Sequence, residues 1–227
     1  MKINSTSIKF FNQIAYDSEI INEVLKDDVY EFKIWKPSRN PKFIIDVGSH
    51  IGTFSLMAAN MYPKAQILSF ELLRENYEIS LMNLQPFSNI KVFNKAVIGE
   101  QIPEGVWKSD RTYNSKPVFK DANPAECLGP RVDYSGSFKK QKLDCINFEE
   151  VFRDFNIDYI DYLKIDCEGG EYEIFPFLSK SKLIDKVLNL AVELHGSTNE
   201  KEEMITFLKN NFSKCKQKRN VFLCSKI

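Results

Sequence analysis

The sequence predicts an α/β protein built on a doubly wound, mostly parallel sheet with helices on both faces. Short apolar runs alternate with segments of helical composition along most of the 227 residues, and this alternation is typical of strand–helix–strand units. The run Phe43–Val47 is short and largely apolar, as expected of a parallel strand that is buried on both faces. The chain length suits one domain of this class.

The predicted elements divide into an N-terminal extension and a main domain. Residues 1–40 are predicted to form an extension that packs on the core, with a helix at Ser18–Leu25 and a strand at Val29–Trp35. The main domain spans residues 41–227. Its predicted strands are Phe43–Val47, Gln66–Glu71, Ile90–Val97, Tyr159–Ile165, Lys186–His195 and Val221–Cys224. Its predicted helices are Thr53–Met61 and Arg74–Gln85, which stop before prolines, then Phe148–Phe155, Glu171–Leu178 and Asn199–Asn211.

One long segment, residues 101–137, interrupts this alternation. It holds four of the nine prolines and three of the nine glycines, and it has no persistent periodicity. A loop of this length in a compact domain is usually a lid, a binding loop or a disordered segment. Its aromatic side chains could stack on a sugar or an aromatic ring, although covering the core is the favoured interpretation. The aromatic residues considered are Trp107, Tyr113 and Phe119 in the segment and Phe138 directly after it.

Composition and charge exclude several classes of protein. The 31 basic and 31 acidic side chains cancel, which argues against a nucleic-acid partner because such proteins need a basic surface. The one basic cluster, residues 214–219, is interpreted as a solvated turn near the C-terminus. No apolar stretch approaches the length of a membrane span, and the N-terminus lacks the features of a signal peptide. No membrane partner is therefore expected.

Cysteine and histidine usage limits the compartment and the metal chemistry. The five cysteines are odd in number and include no C-x-x-C pair, which favours reduced thiols in a cytosolic protein. The two histidines are too few for a His-rich metal site. None of these counts predicts an oligomeric state.

Glycine is scarce, and its positions are informative. Nine glycines make up about 4% of the chain, against roughly 7% on average. Gly48 and Gly52 follow the first predicted strand, which ends with Asp46 and Val47. The spacing D-x-G-x-x-x-G lacks the dense glycines of a dinucleotide fingerprint and places an acid at the strand end. It therefore suits a cationic or neutral polar ligand better than a diphosphate.

The second strand ends at another acid, Glu71. A carboxylate at this position can accept hydrogen bonds from both ribose hydroxyls of an adenosine, whereas the alternative is a surface glutamate that favours the next helix dipole. An acid, a glycine turn and no phosphate cradle together predict an adenosine ligand without phosphates. S-adenosylmethionine is the expected cofactor.

A second cluster of glycines and acids follows the predicted strand Tyr159–Ile165. Lys164, Asp166 and Glu168 alternate along the chain and so share one face. A helix N-terminus explains Glu171 well, but it explains Asp166 poorly because an unpaired buried charge is costly. The next strand ends in Glu193 and His195, which again share a face. These side chains are expected to meet at the carboxyl edge of the sheet.

Together these segments resemble the FkbM-type methyltransferases, which are Rossmann-like, S-adenosylmethionine-dependent enzymes. The matching pieces occur in the family's order over roughly residues 40–200, and the most specific is Leu163-Lys-Ile-Asp-Cys-Glu-Gly-Gly-Glu171. The others are Ile45–Leu56, Ser69–Glu71, Asn94–Val97, Lys142–Asp144 and Glu193–His195. One departure is Leu72, which stands where the family usually has proline. The resemblance implies methylation of an oxygen, typically a hydroxyl of a sugar or natural product.

The resemblance and the glycine turn together suggest a role for each candidate residue. Residues of the turn are expected to seat the methionine end of the cofactor, namely Asp46, Gly48, Ser49, His50, Gly52 and Thr53. Glu71 is expected to bind the ribose. Asn94 and Ala96 are expected near the adenine, and Asp144 is expected to border the cofactor or acceptor site.

The catalytic assignment falls on His195, Asp166 and Glu168. A hydroxyl acceptor must lose its proton, and His195 is the best general base by residue type. Asp166 or Glu168 could orient it or take the proton themselves. These three residues could also hold a divalent cation, but this is the less favoured alternative because the carboxylates can pair with Lys164 or His195.

Two other classes compete with the enzyme hypothesis. One is a non-catalytic protein that binds the cofactor or a partner. The other is a nucleotide-dependent oxidoreductase, which the missing third glycine disfavours. Under the favoured hypothesis the partner is a small-molecule or glycan acceptor.

Overall fold

The computed structural model describes residues 2–3, 6–7, 15–35, 37, 39–99 and 144–226. Its main element is a seven-stranded sheet formed by β3 (Phe43–Val47), β4 (Gln66–Phe70), β5 (Ile90–Phe93), β8 (Tyr162–Ile165), β9 (Asn189–Glu193), β10 (Lys214–Lys218) and β11 (Val221–Ser225). Two small two-stranded sheets accompany it: β1 (Lys2–Ile3) with β2 (Thr6–Ser7), and β6 (Ala96–Ile98) with β7 (Cys145–Asn147). The helices are α1 (Ala15–Leu25), α2 (Thr53–Met61), α3 (Arg74–Leu84), α4 (Phe148–Asp154), α5 (Glu171–Lys180) and α6 (Thr198–Asn211).

The strand order confirms the doubly wound fold. Across the sheet the order is β10-β11-β9-β8-β3-β4-β5, and all neighbours are parallel except β11, which is antiparallel to both β9 and β10. The chain winds outward from β3 through β4 to β5, then returns to the other side of β3 with β8. The boundary between β3 and β8 is therefore the switch point, where sheets of this kind bind ligands at the carboxyl ends of their strands.

Successive residues of the central strands pack into two separate cores. Ile44 and Ile67 belong to the core that contains α1 and α2, whereas Ile45 and Leu68 belong to the core that contains α4, α5 and α6. All four side chains have no exposed surface. This follows from the two-residue period of a strand, and it explains why these strands read as apolar runs without polar alternation.

The predicted strand at Val29–Trp35 is wrong, because this segment forms turns. The Asp28 carboxylate accepts hydrogen bonds at 2.9 Å from the backbone N–H groups of Phe32 and Lys33, and Asp28 and Glu31 both have φ near +50°. An Asp that binds the backbone in this way offers the chain an alternative to a ladder of strand hydrogen bonds. Val29, Tyr30 and Phe32 are nevertheless buried, whereas Ile34 is exposed. Phe32 packs edge-on against Tyr162 at 4.9 Å between ring centroids.

Two further predicted strands differ from the structure. Ile90–Val97 is two strands, because the chain leaves the large sheet after β5 and pairs β6 with β7 instead. The predicted strand Lys186–His195 is shortened to Asn189–Glu193, and a 3₁₀ turn at Leu183–Lys186 precedes it. The N-terminal boundary near residue 40 stays a prediction, and the segment 101–137, with its aromatic residues, lies outside the described residues.

The basic cluster at residues 214–219 is not a solvated turn, since most of it forms the edge strand β10. Lysines on an edge strand discourage pairing with other chains. Several of its side chains also contact the acidic end of α1 and the turn after it. Arg219 pairs with Glu23 and Asp27 at 3.1 Å, and Lys218 donates to the backbone oxygen of Asp28 at 2.8 Å.

The expectation that all cysteines are reduced is also wrong. Cys215 and Cys224 are direct partners in the β10–β11 ladder, with 4.2 Å between their Cα atoms, and they form a disulfide. Antiparallel partners lie close enough for such a bond. Cysteine usage therefore no longer supports a cytosolic compartment. Within the described part of the chain, no helix combines the length and the apolar character that crossing a membrane requires.

Candidate active site

The candidate site lies at the carboxyl ends of β3, β4, β8 and β9, across the switch point. Asp46 is inside β3, Glu71 follows β4, Asp166 follows β8 and His195 lies two residues after β9. The fold thus brings together the two clusters that the sequence analysis identified separately.

Gly48 joins the two clusters, and its backbone explains why glycine is needed there. It has a φ of 74°, and a Cβ at this position would lie 1.7 Å from the backbone oxygen of Asp166. Its N–H and that of Ser49 both donate to the Phe70 oxygen at 3.0 Å. The turn after β3 is therefore fixed to β4 on one side and pressed against the end of β8 on the other.

Asp46 is a buried structural anchor for this turn. Its side chain has no exposed surface; one oxygen accepts a 2.7 Å hydrogen bond from Ser55, and the other lies 3.2 Å from the Lys164 ammonium. Lys164 also donates to the Gly48 backbone oxygen at 2.6 Å. Although burial lowers the pKa of Lys164, the nearby carboxylates of Asp46 and Asp166 raise it overall, so the lysine stays charged.

Glu71 is buried directly beneath the same turn. Its carboxylate accepts a 2.7 Å hydrogen bond from the His50 N–H and another from the Leu73 N–H. Burial raises the pKa of Glu71 to about 7, although both hydrogen bonds oppose the shift. Leu72 replaces the family's proline without displacing this carboxylate.

The rest of the glycine turn suits a polar ligand. Ser49 and Thr53 are 4% and 2% exposed, and within the described residues neither hydroxyl has a hydrogen-bond partner. Buried hydroxyls without partners are unfavourable unless a ligand satisfies them. Gly52 has a φ of 85°, and a Cβ there would lie 2.8 Å from Leu84, so this glycine lets α3 pack against the turn. These features fit the amino and carboxylate groups of a bound S-adenosylmethionine.

The three remaining cofactor candidates lie to one side of Glu71. The Asn94 amide donates to the backbone oxygens of Glu71 and Leu72 at 2.9 and 3.0 Å, so it holds the loop after β4. Ala96 is buried in β6, and its N–H donates to the Asp144 oxygen at 2.8 Å. The Asp144 carboxylate is exposed and pairs with Lys95 at 2.9 Å. Their roles toward adenine and the acceptor stay predictions.

The second cluster surrounds the imidazole of His195. Its Nδ1 lies 3.0 Å from the Glu171 carboxylate, which has no exposed surface. Its Nε2 faces Asp166 at 3.8 Å, Glu168 at 3.7 Å and Glu193 at 3.9 Å. Each of these three distances exceeds that of a hydrogen bond.

This concentration of carboxylates shifts several pKa values. Burial lowers the pKa of His195, but the Glu171 hydrogen bond and the surrounding carboxylates raise it overall to about 9. Burial and the nearby Asp166 raise the pKa of Glu193 to about 7, and burial also raises that of Glu168. In the ligand-free protein, His195 is therefore protonated at neutral pH, and a carboxylate beside it is the better proton acceptor.

Two residues of this cluster are not predicted from the sequence. Tyr30 comes from the turns after α1 and donates a 2.8 Å hydrogen bond to Asp166 Oδ2. No sequence pattern signals this contact, which spans 136 positions. The sequence explains Glu171 by the dipole of the helix it begins, whereas the structure buries it against His195. The only available signal was its place in the Leu163–Glu171 segment.

A Rossmann-like sheet that joins a glycine turn, a buried acid after the second strand and an acid–histidine cluster defines a class I methyltransferase fold. The family model described as "Methyltransferase FkbM domain" matches residues 46–217, which is most of the chain. The protein belongs to the FkbM methyltransferase family. The family assignment gives no support to the oxidoreductase alternative.

Individual relatives are more distant. The chain is 28% identical over 200 residues to methyltransferase sdnD of Sordaria araneosa, covering 77% of this chain and 73% of that protein. Among solved structures it is similar to a precorrin-6y C5,15-methyltransferase of Geobacter metallireducens, with a TM-score of 0.46, 12% identity and coverage of 95% and 90% of the two chains. It is also similar to TrmK of M. capricolum in complex with S-adenosyl-homocysteine, with a TM-score of 0.45, 13% identity and coverage of 88% and 66%. Neither structural likeness informs the choice of acceptor.

Proposed function

We propose that this methyltransferase uses S-adenosylmethionine to methylate a hydroxyl group of a sugar, a glycan or another small natural product. The observation that carries the proposal is the direct contact between the two clusters. The turn that would seat the cofactor touches the strand end that bears Asp166, through the Gly48 approach to the Asp166 backbone. A methyl donor held by the turn would therefore lie beside the carboxylates and His195.

The residues of the first cluster fit the cofactor's polar groups. Ser49 and Thr53 offer buried hydroxyls to its methionine end, and Glu71 offers a carboxylate to its ribose hydroxyls. Asp46 acts indirectly, because it fixes Lys164 and the Gly48 backbone in place. Asn94 would position the Glu71 loop, with Ala96 and Asp144 lying farther along the same side.

The second cluster would handle the acceptor's proton. When bound, S-adenosylmethionine supplies a methyl carbon to the acceptor oxygen while its sulfur keeps the electron pair of the broken C–S bond. Asp166 or Glu168 is placed to accept the hydroxyl proton, and burial raises the pKa of Glu168 although the charged His195 opposes this shift. The zero net charge supports a small neutral acceptor as the partner, rather than a nucleic acid.

The decisive experiment measures methyl transfer directly. The purified protein is incubated with methyl-labelled S-adenosylmethionine and a panel of sugars, glycans and hydroxylated natural products, and products are analysed by mass spectrometry. The expected result is the gain of one labelled methyl group on a hydroxyl oxygen. Replacing His195 by Ala should slow this turnover while leaving cofactor affinity nearly unchanged.

Calorimetry separates this proposal from a non-catalytic alternative. Wild type should bind S-adenosylmethionine, and the Glu71→Ala variant should bind it more weakly. No heat of binding with wild type would contradict the cofactor assignment. Binding without methylation of any compound in the panel would favour the non-catalytic protein.

A further inference from the structure

We propose that Asp166, Glu168 and His195 bind a divalent cation that accepts both imidazole nitrogen and carboxylate oxygen, such as Mn²⁺. This inference rests on the proposed function, because the ion would act on the acceptor hydroxyl in the same site. One ligand atom from each of the three residues lies within 4.8 Å of the others. No other group of His, Cys, Asp and Glu side chains in the described residues forms such a cluster.

The distances around His195 suit ligands of a common ion better than they suit hydrogen bonds. Ligand atoms about 2.1 Å from a small divalent cation are about 3 Å apart when adjacent and about 4.2 Å apart when opposite. The separations of 3.8 Å to Asp166 and 3.7 Å to Glu168 lie within this interval. They exceed the length of a hydrogen bond, so the ion pairs between His195 and these carboxylates are loose.

Lys164 pairs with Asp166 only at long range. Its ammonium lies 3.9 Å from Asp166 but 3.2 Å from Asp46 and 2.6 Å from the Gly48 oxygen. The lysine thus serves the glycine turn. The pairing with Lys164 or His195 that disfavours a metal in the sequence is present in the structure, but only at N–O distances of 3.7–3.9 Å.

Residues outside the three ligands orient them as in known metal sites. The fully buried Glu171 holds His195 Nδ1 and leaves Nε2 directed at the carboxylates, an arrangement common for metal-bound histidines. Tyr30 holds Asp166 Oδ2 and leaves Oδ1 facing His195. Glu193, 3.9 Å from Nε2, adds a further carboxylate to the same space.

The site is open on the side where an acceptor would enter. The Glu168 side chain is 49% exposed, compared with 13% for His195 and 25% for Asp166. An ion held by three protein ligands keeps free positions, and a hydroxyl bound at one of them loses its proton more easily. The cation would thereby activate the acceptor oxygen directly beside the methyl donor.

Electron paramagnetic resonance with Mn²⁺ as the probe tests the site without a known acceptor. Titration of tag-free, chelator-treated protein should show tight binding of one Mn²⁺. Glu168→Gln changes a half-exposed side chain and should weaken this binding at least about tenfold, the loss that even an outer-shell partner can cause. The matched control is Asp158→Asn, an exposed carboxylate that precedes β8 and so lies at the opposite edge of the sheet.

Pulsed electron paramagnetic resonance identifies the nitrogen ligand of the bound Mn²⁺. The chain has two histidines, so a nitrogen coupling to bound Mn²⁺ should vanish in His195→Gln and persist in His50→Gln. The proposal would be overturned if wild type bound Mn²⁺ no more tightly than Glu168→Gln does, or if Mn²⁺ bound to wild type showed no nitrogen coupling. Calorimetry with S-adenosylmethionine measures cofactor binding independently of the Mn²⁺ titration. Mn²⁺ binding without cofactor binding would contradict the proposed function alone, and cofactor binding without Mn²⁺ binding would contradict this inference alone.

Discussion

The site has two halves, the first cluster around the glycine turn and the second cluster around His195, and they are built differently. Around the glycine turn, Asp46, Glu71 and Lys164 are buried, and each makes hydrogen bonds or ion pairs of 2.6–3.2 Å. Around His195, three carboxylates stand 3.7–3.9 Å from the same nitrogen. The first half is already held by short contacts, whereas in the second half the His195 imidazolium is surrounded by carboxylates at longer distances. Under the proposed function, cofactor binding would depend on the preformed turn and acceptor chemistry on the carboxylates around His195.

Gly48→Ala should have the largest effect, because it disturbs both halves at once. The added Cβ would meet a backbone oxygen at 1.7 Å and would occupy a φ of 74°, and a clash with backbone cannot be relieved by a rotamer change. We expect a loss of at least about 4 kcal/mol in the free energy of unfolding, measured by chemical denaturation. Gly170→Ala is the matched control. Gly170 has a φ of −67°, which alanine can adopt, and an added Cβ would lie nearest to a side-chain atom, the Cys167 sulfur, at 2.9 Å. Equal stability of the two variants would refute the close contact between the halves.

Glu71 tests the preformed half through pH. Its folded pKa of about 7 means that the carboxylate is largely protonated at pH 6 and largely ionised at pH 8. Ribose hydroxyls donate to the ionised form, so the affinity for S-adenosylmethionine should rise about tenfold between these pH values. Glu71→Gln should bind more weakly at pH 8, by about tenfold or more, and its affinity should change little with pH. Calorimetry at several pH values measures both effects.

The control for Glu71 is the exposed Glu78, which pairs with Arg74 on α3. Glu78→Gln should keep the wild-type affinity and its pH dependence. If the wild-type affinity for S-adenosylmethionine fell between pH 6 and pH 8, the ligand would not prefer the ionised carboxylate. The assignment of Glu71 to the ribose would then be wrong.

Tyr30→Phe should have the smallest effect and should be confined to the second half. It removes the 2.8 Å hydrogen bond to Asp166 and leaves the ring in the core. We expect a loss of about 1 kcal/mol in stability, a several-fold lower turnover and unchanged cofactor affinity. Tyr62→Phe, which loses a longer 3.3 Å bond to the Trp35 oxygen, should leave turnover unchanged. A loss of cofactor affinity in Tyr30→Phe would mean that the two halves are not independent.

The fold could be predicted because its strands and helices carry local signals. Phe43–Val47 and Thr53–Met61 match the structure residue for residue, since apolar runs, prolines and glycines act within a few positions. The break between β5 and β6 has no local signal; it coincides with a contact between distant segments, in which Asn94 donates to the loop after β4. The Cys215–Cys224 bond likewise depends on a hairpin register that spacing alone does not give.

The site was predicted in its parts but not in its connections. Asp46, Glu71, Asp166 and His195 all lie at strand ends, where a parallel sheet gathers its ligand-binding residues. The roles of Tyr30 and Glu171 depend on burial and on contacts between distant segments. Glu171 shows the limit most clearly, because its position at a helix start already had a sufficient local explanation.

The place of β11 in the sheet has a practical consequence for protein engineering. The family match ends at residue 217, yet β11 follows it in sequence and lies between β9 and β10. A shortened version cut to residues 46–217 would lack β11. The hydrogen-bonding edge of β9 would then be open, and β10 would have no neighbouring strand. It would also discard Tyr30. A minimal catalytic fragment of this enzyme therefore has to keep both flanks of the recognisable family region.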